Sequence, residues 1–219
     1  AAWRPTLYGL GPIGVVPAMQ TRDAPAGARF KIQFDEGVMA GWRWRREDAV
    51  RIVFCHATGF CASAYRLMLG IAAETFDVIA PDLRGHGRTA LPADPATLKS
   101  WAVYGRDIAA LLDRLRTESA TPVILAGHSL GAVAATLAAR GRADVSRLML
   151  IEPVTLPTAV AALASTPIWP LVSPHLPLVR GARSRRAEWP SRADVARSYA
   201  RKRLFAAWAA VQPLALAGR

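Results

Sequence analysis

Val123-Ile124-Leu125-Ala126-Gly127-His128-Ser129-Leu130-Gly131-Ala132 decides how the rest of this chain reads. An apolar run with strand character stops at a glycine, a serine follows two positions later, and a second glycine opens an alanine-rich stretch of helical texture over 131–140. Strand, G-x-S-x-G and helix in that order describe a sharp elbow that lifts the serine hydroxyl above a sheet. The glycines have a steric reason: strand and helix must approach closely on either side of a strained bend. Ser129 is therefore a candidate nucleophile. The N–H of Leu130 is a candidate donor to the oxyanion that attack on a carbonyl would create.

Working outward, the same texture repeats upstream and downstream. Phe30 to Phe34 alternates like a half-buried strand, and 39–44 can pair with it through Asp35-Glu36-Gly37. Continuous apolar runs at 51–55, 76–80, 123–126 and 148–151 read as strands covered on both faces. Helical segments over 62–74, 97–117 and 131–140 lie between them, the second with Ile108, Leu111, Leu112 and Leu115 at three- and four-residue spacing. The expected class is α/β, a mostly parallel sheet with helices on both faces, over residues 1–153. After Pro153 the texture changes. Five prolines fall between 154 and 179, which forbids a long helix or central strand there, while 192–210 looks helical. Residues 154–219 read as a Pro-rich and Arg-rich helical cap.

Two further loops bear on the serine. Cys55-His56-Ala57-Thr58-Gly59-Phe60 leaves the strand 51–55. An oxyanion needs preorganised N–H groups on a short loop that does not relax during reaction, so a second donor is expected here, with Thr58 and Phe60 as candidates. Pro81-Asp82-Leu83-Arg84-Gly85-His86-Gly87-Arg88-Thr89 leaves the strand 76–80. Its Asp82, Arg84 and His86 read as the hydrogen-bonding frame of a tight loop rather than as reacting groups.

H-x-x-G-F at 56–60, D-L-R-G-H-G-R at 82–88 and G-H-S-L-G-A at 127–132 together resemble the α/β-hydrolase superfamily, in its esterase, lipase and perhydrolase-like branch, over about residues 30–153. The resemblance implies Ser129 as nucleophile, an oxyanion hole from Leu130 and either Thr58 or Phe60, and a carboxylic ester or related acyl substrate. It implies no cofactor and no metal. Where relatives carry H-G, this chain has His56-Ala57-Thr58-Gly59, which leaves the choice between Thr58 and Phe60 open. A serine nucleophile argues against the haloalkane dehalogenases and epoxide hydrolases of the superfamily, which use aspartate at that position.

A serine hydroxyl needs an imidazole to take its proton, and in this superfamily the chain order is serine, acid, histidine. The sequence holds His56, His86, His128 and His175, of which only His175 follows Ser129, within the proline-rich stretch. Glu152, at the end of the strand 148–151, is the candidate acid, with a structural role as the preferred alternative; only Glu188 and Asp194 come later. The expectation is a chain truncated before the strands that would carry acid and histidine, with 214–216 a raw end of an unfinished sheet. A binding module that keeps the pocket without the base, and lactone or C–C bond hydrolysis, are the alternatives.

Bulk composition fits one globular domain: 219 residues, 52% apolar and 20% charged. No run approaches the roughly 20 apolar residues of a membrane span, and the N-terminal residues lack the pattern of a signal peptide. Cys55 and Cys61 are too few for a disulfide framework or a metal site and read as reduced thiols, so the expected location is cytoplasmic. The formal charge is +12, yet 25 of the 28 basic residues are arginine and the excess is concentrated after residue 152, with 10 basic and 2 acidic groups. Such lopsided, almost all-arginine charge reads as a solvated cap surface, and no nucleic acid is expected as partner. Leu156, Leu163, Ile168, Trp169, Leu171 and Val172 make the cap apolar and suggest a small-molecule substrate with a hydrophobic part.

Overall fold

The pleat of the strands sorts the apolar residues onto two faces. In the computed structural model, which describes residues 26–94, 97, 98, 100–155, 157–164, 166–176, 179–181, 190, 191, 193, 194, 197 and 198, the sheet has six strands. They are β1 (Ala28–Phe34), β2 (Gly37–Trp44), β3 (Arg51–Cys55), β4 (Asp77–Pro81), β5 (Val123–His128) and β6 (Val145–Ile151), in the order β1-β2-β4-β3-β5-β6. β1, β2 and β4 pair antiparallel, whereas β4, β3, β5 and β6 run parallel. The Asp35-Glu36 turn joins β1 to β2 as the sequence suggests.

Because successive side chains in a strand point to opposite faces, Val53, Cys55, Ile79 and Leu125 enter one core with Ile108, Leu111, Leu112 and Leu115 of α2 (Ala102–Arg116) and Ala134, Ala135 and Ala138 of α3 (Leu130–Ala139). Ile52, Phe54, Val78 and Ala126 enter the other, against Ala62, Ala64, Tyr65 and Leu69. The helices that follow the adjacent strands β3 and β5 thus lie on opposite faces. That arrangement makes the carboxyl ends of β3 and β5 a topological switch point, the place where ligands generally bind in parallel α/β sheets. Cys55 is in register with Gly127, so the loops leaving these two strands start side by side.

Two helices differ from the sequence reading. The stretch 62–74 divides into a 3-10 turn, Ala62–Tyr65, and α1 (Arg66–Ala72). Its start lacks a local side-chain cap; the Ala62 N–H instead donates to the buried Asp82 carboxylate at 2.8 Å, so a distant loop sets where the turn begins. α2 starts at Ala102 rather than at 97, because Asp94 O draws the Thr97 and Leu98 N–H groups into a separate turn. Past β6, α4 (Thr158–Ala164) and α5 (Trp169–Val172) are short, as the prolines require. Leu156 and most of the helical reading at 192–210 lie outside the described residues, as does 214–216.

β6 departs from expectation in its cover. Its sequence has the apolar run of an enclosed strand, but among the described residues β6 is an edge strand and Leu148 to Ile151 are all exposed. No helix among the described residues is long and apolar enough to cross a membrane.

Candidate active site

Ser129 occupies the junction between β5 and α3 with φ +55° and ψ −118°, a backbone conformation that costs an L-residue energy and persists only where its surroundings enforce it. Three contacts do so here. The Ser129 N–H donates to Ile151 O of β6 at 3.0 Å, and the Ser129 carbonyl accepts from the Ala132 and Val133 N–H groups at 3.0 and 3.3 Å. Gly131 lies so close to the Cys55 and His56 carbonyls that any Cβ would overlap them, and a Cβ at Gly127 would strike Gly131. The bend is therefore pressed against the start of the loop that leaves β3. Among the described residues, neither the Ser129 hydroxyl nor the Leu130 N–H has a hydrogen-bond partner.

The loop after β3 is a tight turn. The Phe60 N–H closes it onto Ala57 O at 3.1 Å, with Gly59 at φ +78°, a value glycine adopts without cost at the third turn position. The Gly59 N–H donates to His86 Nε2 at 3.0 Å. Of the two donor candidates in this loop, Phe60 thus has its amide committed inside the turn.

Every histidine of the sheet region has its lone pair engaged. His56 is fully buried; its Nδ1 faces Ala57 O at 2.8 Å and so carries the proton, while Nε2 accepts the Leu83 N–H at 2.8 Å. Burial pushes its pKa down to about 3, so the ring is neutral. His86 Nδ1 donates to Arg84 O at 2.9 Å and its Nε2 accepts from Gly59. His128 Nδ1 lies 2.8 Å from the Tyr65 hydroxyl. That hydroxyl accepts the Ala57 N–H at 3.2 Å and so has its own proton to give to His128. The remaining nitrogen of His128 faces Glu152 Oε2 at 3.7 Å. Glu152 itself has φ +43° and a side chain 87% exposed.

The loop after β4 is the frame of the site. Asp82, fully buried, accepts from the Ala62 N–H at 2.8 Å, the Arg88 N–H at 3.0 Å and Arg29 Nη1 at 3.4 Å. Arg84 forms a two-pronged pair with Asp107 of α2 at 2.9 and 2.7 Å and also reaches Glu36 at 2.8 Å; the Asp107 hydrogen bonds raise its pKa. Among the described residues no group of three or more His, Cys, Asp or Glu is arranged to hold a metal ion.

A family model described as the alpha/beta hydrolase family matches residues 52–219. The chain belongs to that family. Among curated proteins, this alpha/beta hydrolase is 41% identical over 96 residues to an epoxide hydrolase of Caballeronia sordidicola, covering 42% of this chain and 27% of the relative. It is 28% identical over 145 residues to the dihydrolipoyllysine-residue acetyltransferase component of the acetoin cleaving system of Cupriavidus necator, covering 66% of this chain and 37% of the relative. The chain thus matches well under half the length of either relative. Among solved structures, a thioesterase domain from the curacin biosynthetic pathway superposes with a TM-score of 0.58 at 23% identity, over 88% of this chain and 66% of that one. At that identity the likeness speaks for the fold.

Tyr65 escaped the sequence reading. Its partners, Ala57 and His128, stand on two loops far apart in the chain, and no spacing rule links them. The one available signal was its place on the short turn that follows the 55–60 loop.

Proposed function

We propose that this chain is the nucleophile-bearing part of a serine hydrolase that cleaves a carboxylic ester or related acyl substrate through an acyl-enzyme on Ser129. The observation that carries this reading is the strained Ser129 bend beside an unpartnered Leu130 N–H at the start of α3. Ser129 Oγ attacks the acyl carbon, the carbonyl π pair moves to oxygen, and the N–H groups of Leu130 and Thr58 receive the oxyanion. The leaving group departs with a proton, and water repeats the attack to free the acid.

The proton of Ser129 has to go to a group other than His56, His86 or His128, whose acceptor nitrogens are engaged elsewhere. His175, or a group from outside these 219 residues, takes that role. Glu152 stands beside His128 and not in a relay to Ser129, which supports the structural role for it. The exposed Ile168 and Leu171, the latter 75% exposed, offer apolar surface for a hydrophobic acyl or alcohol group.

An epoxide substrate, suggested by the Caballeronia relative, fits poorly for a chemical reason. Serine opening an epoxide would leave an ether on the enzyme, and water does not cleave an ether as it cleaves the ester formed by a carboxylate nucleophile. The test is turnover of p-nitrophenyl esters of increasing acyl length and of styrene oxide by the full-length protein. Ester turnover with a burst of one nitrophenol per site, lost in Ser129→Ala, is expected, without epoxide opening. Epoxide turnover, or ester turnover that survives Ser129→Ala, overturns the reading.

A further inference from the structure

Ala57 is held at both ends by side chains rather than by the sheet ladder. Its N–H donates to the Tyr65 hydroxyl at 3.2 Å, and its carbonyl accepts from His56 Nδ1 at 2.8 Å and the Phe60 N–H at 3.1 Å. A trans peptide points its C=O and N–H in opposite directions. Whatever fixes the Ala57 carbonyl therefore fixes the direction of the Thr58 N–H, and whatever fixes the Ala57 N–H fixes the peptide before it. The Tyr65 ring packs on Phe54 at 4.8 Å and Phe60 at 6.1 Å, and its hydroxyl proton is directed to His128, the residue before the nucleophile. One phenol thus ties the loop after β3 to the elbow after β5.

We infer that Tyr65 is a positioning residue that holds the oxyanion loop in register with the Ser129 elbow, through Ala57 on one side and His128 on the other. The inference rests on the serine hydrolase reading above for its catalytic consequence, and on the hydrogen bonds alone for its structural one. An oxyanion donor is effective because it needs no reorganisation when charge develops. A loop whose first peptide has lost its anchor has to be reordered in every turnover, which lowers kcat and leaves ground-state binding alone. Burial pushes the Tyr65 pKa up to about 12, so the hydroxyl keeps the proton it donates. The ring is needed for packing in either case, which makes Tyr65→Phe the informative change: the ring stays and both hydrogen bonds go.

The test compares full-length wild type, Tyr65→Phe, His128→Ala and the double variant in ester hydrolysis, together with hydrogen exchange of the backbone amides. For Tyr65→Phe the expected result is a fall in kcat on the order of tenfold with KM within about twofold. Faster exchange confined to 57–60 accompanies it, with β3 and β5 unchanged. The double variant should be no slower than the worse single one, because both changes cut the same connection. If Tyr65→Phe does not fold, His128→Ala carries the same two readouts. Wild-type kcat with unchanged exchange at 57–60 overturns the inference, as does an effect on KM alone. If the wild type has no Ser129-dependent activity, the hydrolase reading is what fails; the exchange readout still decides whether Tyr65 holds the loop.

Discussion

β3 and β6 flank the same strand, β5, run parallel to it and carry similar apolar sequences, yet they live in different surroundings. All five residues of β3 are buried, whereas Leu148, Met149, Leu150 and Ile151 of β6 are 38–53% exposed. The difference separates two things an apolar run can mean. In β3 it reports cover from helices on both faces. In β6 it reports an appetite for cover that the described residues leave unmet. The site spans both regions: the turn 57–60 grows from the enclosed strand, while the Ser129 N–H hangs on Ile151 O of the open one.

The largest expected effect is at the seam between the elbow and β3. Gly131→Val would drive a branched side chain into the Cys55 and His56 carbonyls, and a loss of at least about 4 kcal/mol is expected from urea unfolding. Near-wild-type stability would mean the elbow is not pressed against β3. Next comes Leu112→Ala, under the β3 side of the sheet and 1% exposed. It should cost about 3 kcal/mol in the same assay.

A third prediction concerns pH and the loop after β3. Burial holds the folded His56 pKa down to about 3 against an ordinary 6.5, so between those values the unfolded chain binds a proton that the folded chain refuses. The stability from neutral His56 is complete above about pH 6.5 and is lost progressively as pH falls toward 3. Asp144, whose pKa is lowered by its hydrogen bonds to Arg142, loses stability in the same direction. Urea midpoints measured from pH 7 to pH 4 should therefore fall more steeply in wild type than in His56→Asn; equal slopes would mean His56 is not buried and neutral. The smallest effect belongs to the open strand. Leu150→Ala should change stability by less than about 1 kcal/mol, and a loss matching Leu112→Ala would erase the contrast between the two regions.

Most of the sheet was legible because its strands are short apolar runs stopped by glycine, proline or charge, and because Gly127 and Gly131 declare a close approach on either side of Ser129. The exposure of β6 was not legible, since an apolar run states a preference and not its satisfaction. The start of α1 was equally hidden: Ala62 takes its cap from Asp82, twenty residues away. The histidine network was hidden for a related reason. Chain order already set His56, His86 and His128 apart from the expected base, but it could not name their partners: Leu83, Gly59 and Tyr65 meet their ring nitrogens from other loops of the fold.

The most direct measurement is peptide mapping by mass spectrometry after treating the full-length protein with a fluorophosphonate. A reactive serine at the bend should give one adduct, on the peptide containing Ser129, and none in Ser129→Ala. An adduct on another residue, or no adduct on the folded protein, would contradict Ser129 as the nucleophile.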